Sequence, residues 1–181
     1  MAPLAAVSML MWVLIVDRLI FFRTLFRKNM DLATAREHIR SRRMPDPRRY
    51  RGMTSLLVAR FLQRCSGDPR LDAFILDEVV LGINRSLDAH LAIIGTLAAV
   101  APLLGLLGTV TGMIGTFDVL AVFGTGNAKG MADGISEALI STQTGLLVAI
   151  PGLYMKGFLE RRARNLKQRA ARAGYYLRRH L

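Results

Sequence analysis

One carboxylate in this sequence has the setting of a proton carrier. Glu137 lies in the segment GISEALISTQTGLLVAIPGLYM (134–155), and the next charged residue after it is Lys156. Carboxylates within membrane-spanning helices are energetically costly, and they commonly mark proton or ion pathways. Counting about 20 residues back from Lys156 places Glu137 at the outer edge of a hydrocarbon core. A solvated glutamate at the headgroup boundary, with no role of its own, is therefore the alternative interpretation.

Other polar side chains share a face of this predicted helix with Glu137. At about 100° per residue, Ser141 lies about 40° around the helix from Glu137, and Thr144 lies about 20° away. Thr142, at about 140°, points to a flank. A line of polar groups headed by an acid indicates a face that meets water or protein rather than lipid.

A second apolar segment, APLLGLLGTVTGMIGTF (101–117), carries small residues along one side of a helix. Its glycines recur at i, i+3, i+7 and i+10, as Gly105, Gly108, Gly112 and Gly115. In lipid, such a stripe lets helix backbones approach closely and favours helix packing. Thr109 lies in the same segment, where its hydroxyl could line a lumen or simply bond a carbonyl of its own helix.

The composition favours a membrane protein over a soluble enzyme or a nucleic-acid-binding protein. The chain is 52% hydrophobic, with a mean hydropathy of +0.32 and a formal net charge of +12. Its basic residues are segregated from three apolar runs, so we expect no nucleic-acid partner. The histidines are isolated and Cys65 is single, so we expect no metal site and no disulfide. Because no nucleophile elbow or phosphate-binding loop is present, we expect no catalytic residue and no cofactor.

The distribution of basic residues predicts how three membrane spans are oriented. Lys and Arg number 15 from Arg18 to Arg85, one in the segment 119–133, and 9 from Lys156 to Arg179. Since cytoplasmic segments carry the excess of Lys and Arg, we expect a periplasmic N terminus and a cytoplasmic C terminus. The predicted order is a first transmembrane helix (1–23), a cytoplasmic helical region (24–90), a second transmembrane helix (91–118), a short periplasmic loop (119–133), a third transmembrane helix (134–158) and a basic amphipathic tail helix (159–181).

The cytoplasmic region is predicted to be helical, with helices over Asp31–Arg43 and Thr54–Cys65. Asp68 and Pro69 supply an N-cap and a proline at the first helical position of a further helix. We find no break signal after Pro69, so this helix is expected to continue into the second span. Pro102, within that span, predicts a kink.

The tail helix carries an apolar seam with the 4-3-4-3-4 spacing of a coiled coil. The seam residues are Leu159, Ala163, Leu166, Ala170, Ala173 and Leu177. A basic helix lying on anionic lipid is the alternative interpretation.

The two apolar motifs together resemble the MotA/TolQ/ExbB proton channel family, and most of all its ExbB branch. The resemblance rests on GLLGTVTG and EALISTQTG at this separation and covers Leu91 to about Arg164. It implies an all-α inner-membrane protein that assembles as a pentameric bundle around a central lumen. The lumen is expected to hold the single transmembrane helices of two ExbD-like subunits. Proton flow would then energise a TonB-like protein for outer-membrane transport of iron carriers or cobalamin.

The resemblance also implies roles for three residues. Glu137 matches the pore glutamate of the family, while Thr109 and Thr142 match its two pore threonines. One departure is Asp133, where the family often has proline. The MotA branch resembles the chain less, because it has four spans and no acid at this position. A TolQ-like subunit, with a role in outer-membrane maintenance during division, is the alternative within the family, and a passive membrane scaffold is the alternative outside it.

Overall fold

The computed structural model describes residues 2–26, 30–46, 50, 52–124 and 127–179. These residues form six α-helices, and no strand occurs among them. The helices are α1 (Ala2–Phe26), α2 (Leu32–Arg40), α3 (Met53–Leu62), α4 (Pro69–Asp88), α5 (Leu91–Phe123) and α6 (Ala128–Arg178). The all-α class predicted from the sequence is confirmed.

Three helices are long and apolar enough to cross a membrane, and they are α1, α5 and α6. At about 1.5 Å per residue, the 33 residues of α5 extend over about 50 Å, and the 51 residues of α6 over about 75 Å. Because a hydrocarbon core is about 30 Å thick, α6 is much longer than a span requires. The chain is therefore an all-helical membrane protein with three spanning helices.

The predicted continuous helix from Pro69 into the second span is wrong. α4 ends at Asp88, and His90 adopts a left-handed conformation with φ of 65° before α5 begins at Leu91. Histidine is one of the few residues other than glycine that is enriched in this conformation, so no Gly or Pro was needed to break the helix. The start of α4 is as predicted, because the Asp68 carboxylate accepts a hydrogen bond from the backbone N–H of Arg70 at 3.0 Å.

The turn between α5 and α6 is shorter than the loop expected over 119–133. α5 is helical on both sides of Pro102 and continues to Phe123, where Gly124 follows with φ of 62°. α6 begins at Ala128, and the side chain of Asn127 accepts a hydrogen bond from the N–H of Gly130 at 3.0 Å. This contact caps the helix with a residue type that favours the N-cap position. The kink expected at Pro102 stays a prediction.

The chain divides into two compact units. The first comprises residues 1–16 and 90–157, and the second comprises residues 17–89 and 158–181. In the second unit the apolar faces of α3, α4 and the tail of α6 are buried, with Leu57, Phe61, Leu76, Ile83 and Leu166 at most 1% exposed.

The predicted seam of the tail is buried within the second unit, since all six seam residues are at most 3% exposed. The tail runs antiparallel to α4. Lys167 Nζ lies 2.6 Å from a carboxylate oxygen of Asp88, and Arg178 Nη1 lies 2.9 Å from one of Asp77. The two pairs are 11 residues apart on each helix, which fixes the antiparallel register. The seam therefore packs inside the chain and is not available to a lipid surface.

Candidate functional site

α5 and α6 of the first unit pack antiparallel at distances that only glycine permits. A Cβ atom added at Gly105 would lie 3.0 Å from the Ser141 carbonyl oxygen, and one at Gly112 would lie 2.8 Å from the Cβ atom of Ala138. From the other helix, a Cβ atom at Gly145 would lie 2.9 Å from the carbonyl oxygen of Ala101. Small residues at membrane helix interfaces allow such close backbone approach.

The four glycines of the predicted stripe differ in what they face. Gly105, Gly108 and Gly112 all face α6 of the same chain, and the space beside Gly108 is occupied by the Ser141 side chain. At Gly115, in contrast, an added Cβ atom would have no atom of the described residues within 4 Å. Three of these glycines therefore serve packing inside the chain, and the fourth borders open space.

That open space is a groove of about 410 Å³ with a floor made largely of glycine. It is lined by Gly108, Thr111, Gly112, Gly115, Val119, Gly130, Gly134, Glu137 and Ser141. We refer to these nine residues as the Glu137 groove. Five of the nine are glycines, and among these five an added Cβ atom would meet open space at Gly115 alone. Glu137 is the only charged residue among the nine.

The α6 side of the Glu137 groove is one face of that helix. Gly130, Gly134, Glu137 and Ser141 follow a 4-3-4 spacing, which aligns them along one stripe. Ser141 is 8% exposed, whereas Glu137 is on the surface of the single chain. The Thr111 hydroxyl, across the groove, donates to the carbonyl of Gly108 at 3.0 Å. The groove thus combines one titratable carboxyl group with two hydroxyl groups.

Two of the residues assigned by resemblance lie outside the lining of this groove. The Thr142 hydroxyl points to the α5 carbonyl of Gly105 at 3.5 Å, at the long limit of a hydrogen bond. Thr109 is one turn beyond Gly105 on the same side of α5, and its hydroxyl donates to the carbonyl of Leu106 at 2.6 Å. Since Thr142 lies about 140° around α6 from Glu137, the two threonines share the flank of the helix pair opposite to the carboxylate.

The remaining polar candidate, Thr144, bonds within its own helix. Its hydroxyl donates to the carbonyl of Ile140 at 2.8 Å, and it does not line the groove. Gly130 and Gly134, which complete the groove toward the turn, were not among the site residues predicted from the sequence. Their spacing to Glu137 was the signal that could have identified them, because i, i+4 and i+7 positions lie on one helix face.

Comparison with known proteins identifies similar sequences over much of the chain. Residues 50–172 match the sequence model of the MotA/TolQ/ExbB proton channel family. The biopolymer transport protein ExbB of Aquifex aeolicus is 42% identical over 82 residues, which are 45% of this chain and 55% of that protein. A putative ExbB-like protein of Synechocystis is 54% identical over 63 residues, covering 33% of this chain and 25% of its own. The ExbB protein of Salmonella typhimurium is 33% identical over 94 residues, covering 52% and 38%. The chain therefore spans between a quarter and just over half of these relatives.

Proposed function

The chain belongs to the MotA/TolQ/ExbB proton channel family, and from this membership we propose that it is the proton-channel subunit of a TonB–ExbB–ExbD-type motor. It is a bacterial inner-membrane protein with three spanning helices. In the proposed motor, the proton motive force is coupled to transport of iron carriers or cobalamin across the outer membrane. The relatives named ExbB favour this type of motor over the TolQ-type motor of the same family.

The position of Glu137 supports the proposal more than any other observation. Glu137 lies on the surface of the single chain, at a groove between two spanning helices. The cost of an acidic or basic side chain facing lipid reaches about 3 kcal/mol at the bilayer centre and is smaller toward the edge, where Glu137 is predicted to lie; such residues face protein or water. We therefore infer that the Glu137 groove faces a lumen or a neighbouring subunit once the protein is assembled.

We propose that the protein assembles around a lumen, which would take the Glu137 groove out of contact with lipid. In a closed ring of identical subunits, one surface of each subunit meets a different surface of the next. The Glu137 side and the Thr109–Thr142 side of the α5–α6 pair are then brought toward each other by neighbouring subunits. We propose a pentamer with an ExbD-like single-span partner, as a dimer, in its lumen. A glycine floor suits this arrangement, because a partner helix can approach the bare backbone closely.

The chemistry assigned to Glu137 is reversible proton binding. A carboxyl group can accept a proton from one side of the membrane and release it to the other when access changes. The hydroxyls of Ser141 and Thr111 line the same groove, where they can hydrogen-bond either form of the carboxyl group or an intervening water. In this proposal Thr109 and Thr142 supply further hydroxyls to the lumen, and Thr144 has no assigned role. We propose a periplasmic N terminus and a cytoplasmic C terminus, because cytoplasmic segments carry the excess of basic residues.

Glu137→Gln tests the proton role, because glutamine keeps the shape of the side chain but cannot titrate. Asp133→Asn is the matched control, since Asp133 is an exposed acid one turn earlier on α6 and lies outside the groove. Each variant is expressed together with an ExbD-like single-span partner, in a host whose own ExbB gene is deleted. We expect Glu137→Gln to copurify with its partner but to abolish uptake of ferric siderophore, and Asp133→Asn to retain uptake.

Three outcomes would contradict parts of the proposal. Uptake by Glu137→Gln at the wild-type rate would remove the proton role and favour a passive scaffold. Failure of the wild-type chain to restore uptake, combined with rescue of detergent sensitivity in a tolQ deletion, would favour the TolQ-type motor. Loss of partner binding in Glu137→Gln would assign the residue to assembly instead of proton transfer.

A further inference from the structure

A second groove lies in the other unit, beside the end of α1 and the start of the tail of α6. It has a volume of about 560 Å³. It is lined by Leu19, Ile20, Phe22, Arg23, Phe26, Phe158, Leu159 and Arg162. We refer to these eight residues as the arginine groove. Six of them are apolar, two are arginines and none is acidic.

The charge pattern predicts that the arginine groove lies near the level where the spanning segments meet water. On α1 the uncharged stretch ends at Asp17, and Leu19 to Phe26 follow within the next turns. On α6 the uncharged stretch ends at Lys156, and Phe158 comes two residues later. Both sides of the groove are therefore next to the boundary of the hydrocarbon core, at the end of the spans where the basic residues cluster.

Aromatic rings hold the guanidinium groups of this region in place. The Cζ atom of Arg162 lies 5.2 Å from the ring centroid of Phe26 and 4.9 Å from that of Phe158. The Cζ atom of Arg169 also lies over the Phe26 ring, 5.1 Å from its centroid. Stacking on a ring uses the face of a guanidinium and leaves its N–H edge available. Within the described part of the chain, no carboxylate pairs with these two arginines.

The apolar residues beside the arginines are open as well. Ile20 is 63% exposed and Phe158 is 37% exposed. An apolar trough with Arg23 and the ring-stacked Arg162 at its rim, and with no acidic residue in its lining, matches a molecule with a hydrocarbon chain and an anionic head. Basic pockets between spanning helices bind anionic lipid headgroups for this reason. A second copy of this chain is a poor occupant, because its net charge of +12 adds like charge at the contact.

We propose that the arginine groove binds an anionic phospholipid of the adjoining leaflet. One acyl chain lies against Leu19, Ile20 and Phe22, and the phosphate accepts hydrogen bonds from Arg23 and Arg162. The inference does not depend on the proton role of Glu137, which lies in the other unit. In this proposal, the ring contacts of Arg162 hold its phosphate-binding guanidinium group at a fixed depth in the membrane.

The test compares lipid binding by the full chain and two double variants in lipid-free detergent. Arg23→Gln/Arg162→Gln removes the two guanidiniums of the groove, and Arg161→Gln/Arg164→Gln removes the same charge from exposed positions of α6 outside it. The probes are dioleoyl phosphatidylglycerol, dioleoyl phosphatidylcholine and inorganic phosphate, titrated by native mass spectrometry. A third variant, Ile20→Trp, fills the trough without changing charge.

We expect phosphatidylglycerol to bind the wild type and the control variant alike, and more tightly than phosphatidylcholine. At about fivefold per arginine, Arg23→Gln/Arg162→Gln should weaken phosphatidylglycerol binding about 30-fold. Ile20→Trp should also weaken it while leaving the helical circular dichroism unchanged. Equal binding by the groove and control variants, or equal affinity for the two lipids, would refute the proposal. Saturation of the groove by inorganic phosphate alone would also refute it. A fall in the subunit number of the groove variants with lipid binding intact would refute it too, because that result would assign the groove to a neighbouring copy.

Discussion

The packing of α5 against α6 makes a sharp prediction, because two glycines of one stripe have opposite surroundings. An added Cβ atom at Gly112 would lie 2.8 Å from the Cβ atom and 3.0 Å from the Cα atom of Ala138. At Gly115 the same atom would have no neighbour within 4 Å. We therefore expect Gly112→Ala to destabilise the helix pair and Gly115→Ala to leave it intact.

The magnitude follows from the distances. Carbon atoms in contact prefer a separation of about 3.5–4.0 Å, so alanine at position 112 forces the two backbones apart by roughly 1 Å. Overpacking of this kind costs about 1–3 kcal/mol. Both variants also gain the intrinsic helix propensity of alanine over glycine, about 1 kcal/mol in water, and this term cancels in their difference. Gly112→Ala should therefore be less stable than Gly115→Ala by about 1–3 kcal/mol.

The assay is equilibrium unfolding in mixed micelles with increasing dodecyl sulfate, followed by circular dichroism. Native mass spectrometry first establishes that the two variants have the same subunit number, so that a loss of assembly is not read as a loss of intrachain packing. Leucine at the same two positions should widen the difference, since its larger side chain cannot be accommodated by a small shift at position 112. The assignment of Gly112 to intrachain packing would be refuted if Gly112→Ala and Gly115→Ala had equal unfolding midpoints. It would also be refuted if the unfolding midpoint of Gly115→Ala were the lower of the two.

Three further predictions concern the second unit, the topology and the pore threonines. The Asp72 carboxylate accepts hydrogen bonds from the N–H groups of residues 66 and 67 at 2.7 and 3.1 Å. Asp72→Ala should therefore lower the free energy of unfolding by about 2–3 kcal/mol. An unchanged midpoint of thermal unfolding would contradict this prediction. In intact cells, a membrane-impermeant thiol reagent should label Ala128→Cys but not the wild-type chain, whose Cys65 should react only after lysis; labelling of intact wild-type cells would reverse the orientation. Thr109→Val and Thr142→Val should each reduce siderophore uptake partially, and full uptake in both would exclude their hydroxyls from the pathway.

Much of the fold could be predicted from the sequence because the membrane restricts the choices. Uncharged runs of sufficient length can only be spanning helices, and the start of α4 follows from the Asp68–Pro69 pair. The break at His90 could not be predicted, because no local signal there competes with the helical pattern on either side. The short turn before α6 depends on Gly124 and Asn127, and the surrounding glycines made a longer loop equally plausible from sequence.

The candidate site was predictable in its residue types but not in its grouping. Periodicity alone placed Ser141 beside Glu137, and the groove contains both. Which side of α5 faces α6 depends on interhelical packing, which no single-helix pattern encodes. For that reason the sequence could not separate Gly115 from the three packed glycines. The periodicity of α6 already placed Thr142 away from Glu137, but it could not reveal that Thr109 of α5 lies on the same flank as Thr142.

The glycine floor of the Glu137 groove limits how this site can change during evolution. Glycine has no smaller replacement, so no substitution at Gly108, Gly112, Gly115, Gly130 or Gly134 removes atoms from the lining, and one at Gly115 adds a side chain that points into the open space. Only the other four lining positions can be exchanged for smaller residues, and one of them is the carboxylate itself. If a partner helix acquired a bulkier side chain at this contact, few substitutions in this chain could make room for it. Compensating changes would therefore have to arise in the partner.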